Sequence, residues 1–404
     1  MKHASRLWKF ALSSAMSASM LLLGSQAVFA TELTDAEVGR LLFFDTDLSF
    51  NRTMSCATCH DPTNAFTDQR KTIANGIVSR GADGKSFGVR NTPTISYTNA
   101  SPTFHFDQQL QEFVGGQFWD GRSATHAQQA LGPPLDKNEM AMPSAVELVK
   151  RLQNNPIYAD AFKSVYGKDI FFIQTQYSKY RKLGDPREQP QAFTAMGNFI
   201  SAFEKTDFFS PYDSKYDRYL AGEYTLSAIE DQGRRLFFED PDVSCRNCHM
   251  MKSASATKEP FSNYRFRNVG VPRNPLLLAL PGKSPDFRDN GMMDNTRSNT
   301  EAFQGKFKTP TLRNIAVTPP YMHNGVFREL RTVVEFFDHF NNPNRKLNPE
   351  TGQPWSAPEI DKNIANVDLM GRALSDQEID ALVAFMMTLT DKRYEDIVIP
   401  SASK

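Results

Sequence analysis

Two pentapeptides, Cys56-Ala57-Thr58-Cys59-His60 and Cys245-Arg246-Asn247-Cys248-His249, contain all four cysteines of the chain. This Cys-x-x-Cys-His spacing is the attachment signature of c-type haem. Two thiols three positions apart can each form a thioether to one vinyl group of a porphyrin, and the histidine that follows is placed to bind the iron from the proximal side. The motif therefore assigns Cys56, Cys59, Cys245 and Cys248 to covalent attachment, and His60 and His249 to the irons of two haems.

Other cysteine chemistries fit less well. A zinc site built from two Cys-x-x-Cys pairs has them close in sequence, and zinc gives no reason for a histidine directly after each pair. Disulfides within the pairs would close tiny loops and constrain the unfolded chain very little.

Residues 1–30 read as a secretory signal. Lys2, Arg6 and Lys9 form a basic start, Phe10 to Leu23 is largely apolar and small, and Ala27-Val28-Phe29-Ala30 offers a cleavage site after Ala30. No later stretch is long and apolar enough to span a bilayer, so the mature chain is expected in the periplasm without a membrane span. Forty-six basic residues balance 46 acidic ones, which argues against nucleic acid as a partner.

An internal repeat sets the expected domain organisation. Thr34-Asp35-Ala36-Glu37 leads through Gly39-Arg40-Leu41-Leu42-Phe43-Phe44 to the first haem motif. Ser227-Ala228-Ile229-Glu230 leads through Gly233-Arg234-Arg235-Leu236-Phe237-Phe238 to the second. Each copy begins with a capping box that satisfies the free amides of a helix's first turn. Arg90-Asn91-Thr92-Pro93-Thr94 and Lys308-Thr309-Pro310-Thr311-Leu312-Arg313-Asn314 echo one another downstream. Strand-like alternation is scarce and helical periodicity common, while 24 prolines and 22 glycines mark extended loops. The expected fold is mainly α, with two cytochrome c-like haem domains, 31–215 and 216–404, related by duplication and joined to long ordered loops.

Helices are expected around Val146 to Leu152 and Ala192 to Phe203, on a face traced by Val333, Val334, Phe337 and Phe340, and after the capping box Ser375-Asp376-Gln377-Glu378. Tyr177 to Pro190 and Asn341 to Lys362 read as polar, proline-bearing loops.

Seven histidines limit the iron chemistry. His3 leaves with the signal, and with His60 and His249 proximal, only His105, His126, His323 and His339 remain for a second axial position. A haem with two protein ligands passes electrons but cannot bind peroxide without losing one, whereas a haem open on its distal side can activate it.

The order Leu42-Phe43-Phe44-Asp45, the first haem motif, Arg90-Asn91-Thr92-Pro93-Thr94, Phe118-Trp119-Asp120-Gly121-Arg122, the second haem motif, Thr309-Pro310-Thr311-Leu312-Arg313-Asn314 and Thr318-Pro319-Pro320-Tyr321-Met322-His323-Asn324-Gly325 resembles the bacterial dihaem cytochrome c peroxidase and MauG superfamily. The likeness covers nearly the whole mature chain. It implies two covalent haem c groups, a catalytic N-terminal haem, a C-terminal haem that stores or relays electrons, and one calcium ion. By position it also implies that Gln129, Pro133 and Glu139 form a distal pocket, with Glu139 the acid/base of peroxide cleavage. Trp119 matches an inter-haem tryptophan, and Asn91, Thr318 and Pro320 match calcium positions. His323 matches a histidine near the second haem that is not its axial ligand.

Two departures from the family stand out. Peroxidases that must be reduced before they work carry a blocking histidine ahead of the Arg90-Asn91 segment, and Phe66 to Arg90 holds none. The first haem is therefore expected to be open, as in MauG-type members. At the second haem, the family's methionine or tyrosine ligand falls on Phe337, which cannot ligate. His339, about 200° round an ideal helix from Phe337, Met370 and a five-coordinate iron are the alternatives.

The expected function is peroxide reduction at the first haem with electrons relayed through the second. A small periplasmic cytochrome c or cupredoxin would be the donor. The alternative is a MauG-like enzyme that oxidises Trp or Tyr residues of a partner protein, and a third reading is a dihaem electron carrier without catalysis. A homodimer is a candidate assembly.

Overall fold

Helix initiation is written locally in this chain. In the computed structural model, which describes residues 32–172, 190–254 and 256–398, the expected capping boxes at Thr34, Ser227 and Ser375 all form. The leader expected at 1–30, and the Tyr177 to Pro190 loop apart from Pro190, lie outside the described residues.

The first half runs α1 (Asp35–Phe44), the single turn α2 (Cys56–Cys59), and a short antiparallel hairpin of β1 (His105–Asp107) with β2 (Glu112–Val114). Then come α3 (His126–Gln129), α4 (Gly132–Leu135), α5 (Ala145–Asn154), α6 (Pro156–Tyr166) and α7 (Gln191–Glu204). The second half runs α8 (Lys215–Leu220), α9 (Ala228–Phe238) and α10 (Cys245–His249). It continues through β3 (Phe266–Arg267), α11 (Pro275–Leu278) and β4 (Phe307–Lys308), with β3 and β4 paired antiparallel. It closes with α12 (Leu330–Asp338), α13 (Asn366–Leu369), α14 (Asp376–Met387) and α15 (Glu395–Val398). Among the described residues helix dominates and sheet is confined to two short pairs.

Among the described residues, the two largest buried apolar clusters build this framework. Val38 and Leu42 of α1 pack with Leu148, Phe162, Phe193 and Phe199 in one. Tyr216, Phe237, Phe261, Leu382 and Phe385 form the heart of the other. The matching glycines of the repeat make the same contact in each. A Cβ on Gly39 would lie 1.9 Å from the carbonyl oxygen of Phe199 in α7, and one on Gly233 would lie 1.8 Å from that of Ala381 in α14. Absence of a side chain lets α1 press on α7, and α9 on α14, backbone to backbone.

The expected division at 215/216 lies at the first residue of α8, whose Tyr216 packs into the second core. Val333, Val334 and Phe337 share a face of α12 as expected, and Phe340 lies beyond its end. Helix α12 buries Leu330, Val334 and Phe336, leaves Val333 and Phe337 half-buried, and ends before Phe340, which is 37% exposed. The face that carries Leu330, Val333, Val334 and Phe337 packs on the second core and also borders a cavity.

Candidate functional site

The cavity has a volume of about 720 Å³, and both haem motifs open into it: Cys59 and His60 from the first, Cys245, Cys248 and His249 from the second. Such a volume, lined largely by apolar groups, is of cofactor size.

Each motif histidine is held the same way. Nδ1 of His60 lies 3.0 Å from the carbonyl oxygen of Phe66, and Nδ1 of His249 lies 3.1 Å from that of Phe261. A carbonyl oxygen can only accept, so Nδ1 carries the proton and Nε2 keeps the lone pair. Burial lowers both imidazoles below their usual range, His249 to about 4, so both are neutral and able to bind a metal near pH 7. Positioning of a histidine through its second nitrogen is what metal-binding imidazoles require.

None of the four cysteines is paired in a disulfide. Burial pushes them upward, Cys59 and Cys245 to about 12. A redox Cys-x-x-Cys works with a lowered thiol, so this setting argues against thiol exchange. Lys308 adds a further clue. Its ammonium, lowered to about 8 by burial, donates to the carbonyl of Gly116, and among the described residues no carboxylate pairs with it. A buried cation in the wall suits a ligand that brings its own carboxylates, as a porphyrin does. Thiols, free Nε2 atoms, cavity size and Lys308 together fit two haems.

Glu139, Gln129 and Pro133 stand in the wall of the same cavity as His60. The loop after α4 is fixed by backbone: Met140 N–H donates to Pro133 O at 3.2 Å and Ala82 N–H to Glu139 O at 2.7 Å. Gly81 permits this approach, since a Cβ there would lie 2.6 Å from the carbonyl oxygen of Asn138. Burial first, then the nearby Asp136, pushes the Glu139 carboxyl up to about 7, while Arg122 opposes. A carboxyl poised there can both take and give a proton at neutral pH.

The wall also holds Trp119, Asn91, Thr318, Pro320 and His323. Trp119 Nε1 donates to Asn91 O at 2.9 Å. Asn91 directs its side-chain nitrogen to the carbonyls of Gly76 and Ile77, each at 3.1 Å, which leaves the amide oxygen for another partner. Asn91, Thr318 and Pro320 all line the cavity, and oxygen donors of this kind are the type that suits calcium.

His323 stacks on Phe307 with ring centroids 3.6 Å apart, and its Nε2 lies 3.9 Å from Glu359. Glu359 belongs to the Asn341 to Lys362 loop, in which the sequence shows no chemistry, yet it lines the cavity. Arg90 was legible only as part of a repeat. Its guanidinium bridges Asp120 at 2.5 Å and Asp289 at 2.7 Å, and holds both carboxyls below their usual range against the cost of burial. No local pattern announces a partner 199 residues away.

Phe337 lines the cavity together with Leu330, Val333 and Val334, and His339 does not. His339 follows the last turn of α12, where its Nδ1 bonds the carbonyl of Phe336 and its ring stacks on Trp355 at 5.0 Å. Met370 is 68% exposed and likewise absent from the wall. The geometry therefore brings neither expected ligand to the second site. The reason is the helix period, which turns His339 away from the face that carries Phe337. Met322 and Met386 are in the wall, and neither was considered as a ligand in the sequence.

The family described as di-haem cytochrome c peroxidase matches residues 34–225. Methylamine utilization protein MauG of Paracoccus denitrificans (strain Pd 1222) is 43% identical over 367 residues, covering 90% of each chain. Cytochrome c551 peroxidase of Pseudomonas aeruginosa is 27% identical, over 91% of this chain and 82% of that protein. Among solved structures, the diheme peroxidase BthA from Burkholderia thailandensis E264 superposes with a TM-score of 0.76 at 30% identity, over 93% of this chain and 90% of that one. The chain belongs to the di-haem cytochrome c peroxidase and MauG family, and is a di-haem oxidoreductase of the peroxidase type.

Proposed function

We propose that the protein reduces hydrogen peroxide at the site of His60 and draws the electrons through the site of His249. Haem c, attached through Cys56 and Cys59 and through Cys245 and Cys248, would supply the iron that binds and splits peroxide at the first site and the electron store at the second. His60 and His249 would hold the irons through their Nε2 atoms. Glu139 would take the proton from the near peroxide oxygen and deliver it to the leaving one, with Gln129 and Pro133 shaping the space around it. The single observation that carries this reading is Glu139, poised at about 7, in the wall of the cavity that His60 enters.

Trp119 would pass oxidising equivalents between the sites, and a calcium ion held by Asn91, Thr318 and Pro320 would fix the loop its indole bonds. Two haem domains, 31–215 and 216–404, arisen by duplication, account for the paired glycine contacts and matching caps. An exported chain cleaved near Ala30 would work in the periplasm, where a small cytochrome c or cupredoxin is the natural donor, and a homodimer is its proposed assembly.

A second reading has its own support. The match to MauG at 43% exceeds that to the Pseudomonas peroxidase at 27%. Residues 66–90 also hold no histidine to block the first site. In this reading, the electrons come from Trp or Tyr residues of a partner protein. Steady-state turnover with reduced cytochrome c after peroxide addition separates the two: rapid oxidation of the cytochrome supports the first reading, and its absence with peroxide still consumed supports the second. If both haems proved inert to peroxide, the protein would be an electron carrier instead.

A further inference from the structure

The echoed segments converge on one carboxylate. Tyr97, five residues after Thr92 in the first echo, and Asn314, five after Thr309 in the second, occupy matching places, and both have φ of 61°. Left-handed backbone is uncommon for tyrosine, so the position is imposed by what surrounds it. The hydroxyl of Tyr97 donates to Oδ1 of Asp391, and the side-chain amide of Asn314 donates to Oδ2 at 2.8 Å. The N–H of Asp391 returns a bond to Asn314 Oδ1 at 2.8 Å. Tyr97, Asn314 and Asp391 are each 0% exposed, and Tyr97 is part of the cavity wall.

A buried phenol of this kind can lose an electron only if its proton has somewhere to go. Oxidation makes the hydroxyl strongly acidic, and a charged ring in a dry interior is costly. Arg313 raises that cost, with its guanidinium carbon 4.7 Å from the Tyr97 ring centroid, although Asp217 neutralises it through two bonds of 2.8 and 2.9 Å. Arg393, 3.9 Å from Asp391, is the other nearby cation, and the N–H of Tyr212 donates to the Tyr97 oxygen at 3.2 Å. This setting excludes a cationic ring and permits a neutral one, provided the proton crosses to the carboxylate. Burial pushes Asp391 up to about 6, which makes it a willing acceptor near neutral pH. Asn314 holds the other oxygen and cannot itself be oxidised, so the repeat carries this chemistry on one side only.

We propose that Tyr97 and Asp391 form a one-electron oxidation site beside the haem cavity. The proposal rests on the peroxide reading above, since peroxide is the oxidant. Tyr97 gives one electron to an oxidising equivalent left at the haem site, its O–H bond breaks, and the proton moves onto Oδ1 of Asp391. A neutral phenoxyl radical remains. One electron from the reducing partner then restores the phenol, and the proton returns from Asp391.

The test is to mix the holoprotein, grown with ring-deuterated tyrosine or without, with hydrogen peroxide, freeze it rapidly, and record electron paramagnetic resonance and haem absorption on the same samples. The expected result is an organic radical signal that narrows on tyrosine deuteration and is lost in Tyr97→Phe, while the haem absorption still responds. Asp391→Asn should also lose the signal, and Asp391→Glu should restore it. Tyr97→Phe keeps the ring and its packing, so it carries the test if Asp391→Asn does not fold. A haem response with no tyrosine radical, or with one that survives in Tyr97→Phe, overturns this proposal alone. A haem that ignores peroxide overturns the reading beneath it and this proposal with it.

Discussion

The indole N–H of Trp119 donates to the carbonyl oxygen of Asn91 at 2.9 Å, and the N–H of Asn91 donates in turn to the carbonyl oxygen of His323 at 2.7 Å. The proposed calcium loop is therefore bonded directly to the residue proposed to connect the two haems. Asn91→Ala should lose calcium on dialysis and slow electron exchange between the haems by roughly 10–100-fold, the usual cost of removing a support from a metal site. Elemental analysis and transient absorption check the two effects. An unchanged exchange rate in calcium-free protein would separate the ion from the relay.

Glu139→Gln should slow peroxide cleavage by about 10²–10⁴-fold with haem content unchanged, the range expected for loss of a positioned acid/base. In the parent protein, burial holds this carboxyl up at about 7. Its base form is therefore absent at low pH and appears as pH rises through about 7, so the rate of cleavage should climb across that interval. Stopped-flow absorption against pH measures it, and the variant should show no such rise.

Phe337→Met should place a thioether at a wall position that now offers only an aromatic ring, converting the second haem to six-coordinate low-spin iron with a raised potential. By contrast, His339→Ala should leave both haem spectra as they are. Its cost is the aromatic stack on Trp355, about 0.5–1.5 kcal/mol of stability, read from denaturant unfolding. A spectral change in His339→Ala would restore it as a ligand.

Gly39→Ala and Gly233→Ala should each destabilise the protein by about 1–3 kcal/mol, because the atom in the way is a backbone carbonyl that cannot rotate aside. Thermal unfolding of the two variants should show similar losses, since the two helix crossings are alike. A mild effect at one and a severe effect at the other would mean that the crossings are not equivalent.

These residues also mark how far the sequence could be read. The haem motifs and capping boxes were legible because both are local, a matter of spacing within five residues. Glu139 was legible only through family resemblance. Its burial comes from the approach of Gly81 and Ala82, which periodicity cannot anticipate. His339 stood out because a histidine near an apolar stripe reads as a ligand, whereas it lies beyond the end of α12 and outside the cavity wall. Tyr97 and Asp391 stand 294 positions apart, and nothing in either neighbourhood signals the other.

The central claim is that the first site reacts with peroxide as isolated, without prior reduction. Adding hydrogen peroxide to the fully oxidised holoprotein in a stopped-flow spectrometer tests it most directly. The account predicts a high-spin ferric haem in the resting spectrum, a change in haem absorption on mixing, and a much slower change in Glu139→Gln. Only low-spin iron at rest, with no response until an electron donor has first reduced the protein, would contradict it.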